Sequence, residues 1–193
     1  MRDWIRTLAI CALPVIMVAA ERAAAEQWCG LTVAPEDRCS PYERRRDYTY
    51  PRSIEWDIVA ALTNGRVQAD DDGVLSAPFP SEYQHDVEFT SIRQTDIEHR
   101  VPAAEAHDSG LCAADRDTRR RFARDLTNLT LAAPTLNRHR KSDKDPAQWL
   151  PEKDPVPYGL MWLQTKLDYG LTIDPAERDA LAALLGDILP CAR

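Results

Sequence analysis

The sequence predicts an α+β domain, mainly helical and closed by disulfides. Apolar residues recur at helical spacing over residues 157–170 and 174–189, so two amphipathic helices should close the chain. Two short runs with strand character, 73–79 and 87–92, interrupt the helical segments. Four of the five cysteines follow an N-terminal leader-like stretch, and an even count in an exported chain points to two disulfides. With 193 residues the chain is long enough for one domain with its own core.

Residues 1–25 have the layout of a secretory signal peptide. Arg2 and Arg6 make a basic start, an apolar run covers 8–20, and Ala23 and Ala25 precede a cut near Ala25. The run contains Pro14 and falls short of the roughly 20 residues of a membrane span, which disfavours an uncleaved anchor. Bulky Ile10 before Cys11 fits a lipoprotein cleavage site poorly. Cleavage removes Cys11 and leaves Cys29, Cys39, Cys112 and Cys191. The favoured pairing is Cys29–Cys39, closing a small loop, with Cys112–Cys191 tying the C-terminus to the centre; free buried thiols are the alternative. No pair has the C-x-x-C spacing of a zinc ribbon.

Along the chain, the polar, proline-marked segment 39–52 reads as a loop. Ser53 can cap a helix through Leu62, which Asn64-Gly65 ends. The acidic 68–73 stretch lacks the later ligands of an EF-hand and reads as a turn. After Pro102 a short helical piece ends at Gly110, and a second helix covers 118–126. Residues 128–132 are a strand or turn, and 133–142 begin another helix. Pro146 suits the first position of a capped helical turn.

The chain carries 24 basic and 31 acidic residues, net −7. Without the leader's three basic and two acidic residues the balance is 21 to 29, net −8. That is a poor overall charge for nucleic-acid binding, which rests on neutralising phosphates. The basic residues are nevertheless concentrated in 116–124 and 137–144.

One constellation carries chemistry: Asp96, Glu98 and His99 in the stretch TDIEHRVP, then Asn128, then Asn137. A histidine at a strand end can act as a general base, because its pKa lies near neutral. A neighbouring carboxylate can hold a hard divalent cation, and an asparagine can add a carbonyl ligand. In an extended segment Glu98 and His99 point to opposite faces, so one can serve the metal and the other the attacking water.

TDIEHRVP…DLTNLTLAAPTLNRHRKSDKDPAQWLP resembles the HNH, or ββα-metal, endonucleases. It looks most like a secreted group related to the C-terminal part of the GmrSD restriction enzymes. The likeness is in order: D-x-[DE]-H-x-x-P, an Asn before an apolar pair, then an Asn at a basic helix start. It implies a ββα-metal core, over residues 88–151, in a single domain 26–193. By this resemblance His99 is the general base, and Glu98 and Asn137 hold one divalent ion, magnesium first and manganese second. Asn128 bonds backbone across the loop to orient His99, and Asp96 is an additional or supporting ligand. The family's usual products are 5′-phosphate and 3′-hydroxyl ends.

Arg119, Arg120, Arg121, Arg124, Arg138 and Lys141 are candidate phosphate contacts, and Arg100 a candidate substrate contact. The alternative for these cations is a solvated basic face. Glu98 stands where many such enzymes carry Asp, and His139 is a competing ligand. His85 and His107 read as ordinary polar residues. The expected function is an exported, monomeric, metal-dependent endonuclease of low sequence specificity, secreted or periplasmic. It would act on DNA, with RNA a second substrate, and without a stable protein partner. The rivals are an inactive HNH-like binding protein of the envelope and a zinc hydrolase of a non-nucleic substrate.

Overall fold

A computed structural model describes residues 25–192; the expected leader, with Cys11, lies outside the described residues. Its strands form three separate antiparallel ribbons rather than one sheet. β1 (Gln27–Trp28) pairs with β2 (Leu31–Thr32), the turn between them using positive φ at Cys29 and Gly30. A one-turn helix, α1 (Arg44–Asp47), precedes α2 (Ile54–Thr63). Asn64 ends α2 in the left-handed conformation, as the Asn-Gly signal led one to expect.

β3 (Val74–Pro80) and β4 (Glu88–Ser91) form the second ribbon, with a bulge between Val74 and Phe79. The acidic stretch before β3 is a turn: Asp70 Oδ1 accepts from Val74 N at 2.8 Å. The third ribbon joins residues far apart in sequence, β5 (Asp96–His99) and β6 (Leu129–Ala132). Between them lie α3 (Ala103–Asp108) and α4 (Arg116–Ala123), the latter capped by Asp115 through Thr118 N at 2.7 Å. A π-helical turn, Leu136–Lys141, follows β6. α5 (Pro155–Asp168) and α6 (Pro175–Leu185) close the fold. Gly159 lets them meet closely, since a Cβ there would lie 2.9 Å from Leu184 Cδ2.

β6 is buried at every residue because it runs between two apolar clusters. Leu129 and Leu131 pack with Ile58, Phe79 and Phe89. Ala132 belongs to the larger cluster around Phe122, Trp162 and Leu181. The inner strand of the ribbon is thus pinned on both faces, and β5 is held by its register to it.

The disulfides correct the expected pairing: they join Cys29 to Cys191 and Cys39 to Cys112. The reason is tertiary. The β1–β2 hairpin is bridged through Val33 to Ile173, just before α6, which brings Cys29 to the C-terminus. Cys39 instead runs against the turn Leu111–Ala113. Loops of 162 and 73 residues are closed this way, a constraint worth about 4–5 kcal/mol each in the chain-entropy account.

A buried ammonium ties the helices together. Lys166 on α5 donates to Glu105 of α3 at 2.7 Å and to Glu177 of α6 at 2.6 Å. Thr172 O at 2.9 Å and Ser109 Oγ at 3.1 Å are its further partners, and Trp162 Nε1 also donates to Glu177. Removing one partner of such a group leaves uncompensated buried charge. Lys166→Met should therefore lower unfolding free energy by about 3–5 kcal/mol in a denaturant titration; a loss below about 1 kcal/mol would show that the network is solvated.

Candidate active-site cleft

β5 delivers three of the expected residues in four positions. Its register sets Asp96 opposite Ala132, Glu98 opposite Thr130 and His99 opposite Leu129. The loop after β5 is then locked from behind. Buried Asn128 accepts from Val101 N at 2.8 Å and donates to Val101 O at 3.1 Å. Arg100 N donates to Asn128 O at 2.8 Å, and Tyr158 Oη donates to Arg100 O at 3.2 Å. His99 consequently sits at a strand end whose next two residues cannot move independently.

His99 is 9% exposed, its ring between Phe122, near-parallel at 6.0 Å, and Tyr50, tilted at 5.8 Å. Its Nε2 lies 3.1 Å from Ala123 O. A carbonyl only accepts, so Nε2 carries the proton and Nδ1 is left as the acceptor nitrogen. Burial pushes the imidazole pKa down to about 4, and the nearby charges of Lys141 and Arg44 act in the same direction. At neutral pH the ring is therefore uncharged, the form a general base needs.

Glu98 is 4% exposed and meets Lys141, an ion pair drawn entirely inside the protein. Lys141 also donates to His99 O at 2.9 Å. Burial raises the Glu98 carboxyl and lowers the Lys141 ammonium, and their mutual attraction opposes both shifts. The oxygen that Lys141 meets is Glu98 Oε1, which has no other hydrogen-bond donor among the described residues. Asp96 is clasped by Arg138, whose Nε and Nη2 donate at 2.7 and 2.6 Å. Asn137 Nδ2 reaches the same carboxylate at 3.3 Å, so its carbonyl oxygen is free of that contact.

Asp96, Glu98, His99, Asn137 and Arg138 border one cleft of about 830 Å³. The strand alternation holds, with Glu98 turned to the π-helical turn and His99 to α4, yet both open on the same space. Several expected substrate contacts are placed elsewhere. Arg100 is a correction: it is buried, spending its guanidinium on Glu82 at 2.7 Å and on Leu129 O at 2.8 Å. Lys141 is another, fully buried where the basic run had suggested a phosphate contact. Arg119 is held by Asp47 at 2.8 Å and by Ala114 O at 2.9 Å. Arg120 lies outside the cleft, 3.8 Å from Asp117, and Arg124 donates to Thr49 O. His139 is exposed and away from the cleft. His107 is a satisfied core residue between Tyr48 Oη and Ser40 O, and His85 is a surface residue.

Sequence reasoning missed the opposite wall. Tyr42, Arg44, Tyr50, Arg52 and Glu55 also border the cleft. The signal was present as tyrosines interleaved with arginines in YERRRDYTYPR, inside the segment read as a loop. A separate acidic corner, Glu36 with Asp145 and Asp174, brings carboxylate oxygens within 4.8 Å of one another. Facing Glu105, Glu36 is raised to about 8, the hydrogen bond to that carboxylate being the largest cause.

Residues 63–183 match the family described as GmrSD restriction endonucleases, C-terminal domain. The chain belongs to this family. Among curated proteins it is 31% identical over 170 residues to an uncharacterized secreted protein of Arthroderma benhamiae, covering 81% of this chain and 80% of that one. No solved structure matches the chain. The family match spans every residue of the β5–β6 ribbon and the π-helical turn.

Two outcomes are expected. In an NMR titration the His99 ring should stay neutral from pH 8 to 5 and titrate near pH 4; a midpoint near 6.5 would mean that the ring is solvated. The sign for stability follows: only the unfolded chain takes up this proton below pH 6.5, so the contribution is complete above 6.5 and is lost as pH falls toward 4. Separately, Asn128→Ala should cost about 1–3 kcal/mol for each backbone group left unpaired, read by thermal unfolding.

Proposed function

We propose that the protein is an exported endonuclease that hydrolyses phosphodiester bonds with His99 as general base and one divalent cation. The observation that carries this reading is the acceptor nitrogen of a neutral His99 beside two carboxylates and an asparagine in a single cleft. Its support from kinship is the family of restriction-endonuclease domains to which the chain belongs. Two antiparallel strands, the base on the first, then a helical turn bearing an Asn is also the order of a ββα-metal core. Export is supported by two disulfides and by the secreted relative.

The residues fit a hard cation. Glu98, Asp96 and Asn137 border the same space, and their side chains offer two carboxylates and an amide oxygen. All are oxygen donors, as magnesium and manganese prefer. Glu98, Asn137 and Asp96 would hold the ion. When bound, such a cation supplies positive charge to the non-bridging and leaving oxygens of a phosphodiester. His99 Nδ1 takes a proton from water as that water's oxygen attacks phosphorus. The P–O3′ bond breaks, giving a 5′-phosphate and, once the 3′-oxygen is protonated, a 3′-hydroxyl. Hydrogen bonding of Nε2 to Ala123 O steadies the ring as it gains charge. Asn128 fixes the loop that carries it.

A second reading has one specific observation behind it. Both candidate acidic ligands already face cations of this chain, buried Lys141 and exposed Arg138. That arrangement also suits an inactive scaffold that binds without cleaving. Supercoiled plasmid separates the two. The oxidised protein with magnesium or manganese should nick it, EDTA should stop the reaction, and His99→Ala should slow it by roughly 10²–10⁴-fold. An unaltered rate in a folded His99→Ala variant would remove the base, and no nicking with any divalent ion would favour the scaffold.

A further inference from the structure

The wall facing β5 is built by the segment between Cys39 and α2. Its backbone is held at both ends and in the middle. The Cys39–Cys112 disulfide fixes its start. Buried Asp47 is bound by Arg119 at 2.8 Å and Arg116 at 3.2 Å, and Arg124 Nε donates to Thr49 O at 2.9 Å. On this anchored segment Arg44 and Arg52 are exposed. Among the described residues their side chains make no ion pair, hydrogen bond or cation–π contact. Arg138, across the cleft, is by contrast already engaged with Asp96. The free cationic charge at the cleft therefore belongs to the wall that sequence reading treated as a loop.

The size of the cleft and the depth of the base limit what can enter. About 830 Å³ is the scale of a small-molecule site, with room for a few nucleotides of one strand. His99 is only 9% exposed, so a phosphate must descend into the cleft to meet Nδ1. Tyr50 stands beside that point, its ring centroid 5.8 Å from His99. An aromatic ring flanked by unpaired arginines in a groove is how single strands are held: bases stack while phosphates are neutralised.

Resting on the nuclease reading, we infer that Arg44 and Arg52 grip the backbone phosphates of an unpaired polynucleotide strand, with Tyr50 as its stacking platform. Both arginines are positioning residues, acting on parts of the substrate that do not react. The geometry asks nothing of duplex width or of a sequence-reading helix.

The test is binding of a labelled oligonucleotide by fluorescence anisotropy, in EDTA, across a range of NaCl concentrations. It compares the native protein with Arg44→Gln, Arg52→Gln and Tyr50→Leu, each verified as folded by circular dichroism, on the single strand and on its annealed duplex. Cleavage of the same oligonucleotides with magnesium is followed in parallel. The single strand should bind more tightly than the duplex. Each arginine substitution should flatten the log–log salt dependence by about 0.7, the value for one single-strand phosphate. Tyr50→Leu should weaken single-strand binding roughly tenfold and leave the salt slope unchanged. Equal or tighter duplex binding, or a salt slope that neither arginine alters, would overturn the inference even if the protein cleaves. Arginine-dependent single-strand binding without any cleavage would support the grip and sink the nuclease reading instead.

Discussion

The candidate site depends on one buried ammonium. Lys141 ends the π-helical turn and reaches back to β5, donating to His99 O and meeting Glu98. A cation inside a protein is tolerated only when paired and hydrogen-bonded, since desolvation costs several kcal/mol per ion. The strand end and the turn are thus obliged to stay together. That single tie sets Asn137 beside Asp96, keeps Glu98 at the cleft and fixes the backbone of His99. Asn128 and Tyr158 complete the restraint from the other side of His99.

A division of labour among the arginines follows from the same physics. Arg100 and Arg119 lie inside, where their guanidinium groups cap carbonyls and neutralise Glu82 and Asp47. Such groups fix the chain and have little left to offer a ligand. Arg44 and Arg52 remain at the surface of the cleft without an ion pair among the described residues. An acidic protein of net −7 can in this way present a locally cationic wall to a polyanion.

Much of this was legible in the sequence, for reasons that differ by element. Helix ends were readable at Asn64 and Asp174, which act on backbone within a few residues of themselves, whereas α4, capped by Asp115, starts and ends before the expected 118–126. The grouping at the cleft was readable because Asp96, Glu98 and His99 share one strand, and that order resembled a known motif. Lys141 and Arg100 were misplaced because a charged residue in a polar run ordinarily faces water, and only the tertiary fold supplies the partners that let it be buried. The disulfide pairing failed likewise, since separations of 162 and 73 residues leave no local trace. Tyr42, Arg44, Tyr50 and Arg52 were overlooked because proximity to β5 is set by the Cys39–Cys112 link and the Asp47 ion pairs, not by any periodicity.

The proposed chemistry needs a divalent cation beside His99, held by Glu98, Asn137 and Asp96. Titrating the protein with substoichiometric manganese and recording amide NMR spectra tests it most directly, because paramagnetic broadening marks the residues nearest the ion. Signals of Ile97, Glu98, His99 and Asn137 should disappear first. Broadening confined to the corner of Glu36, Asp145 and Asp174, with the β5 signals intact, would contradict it.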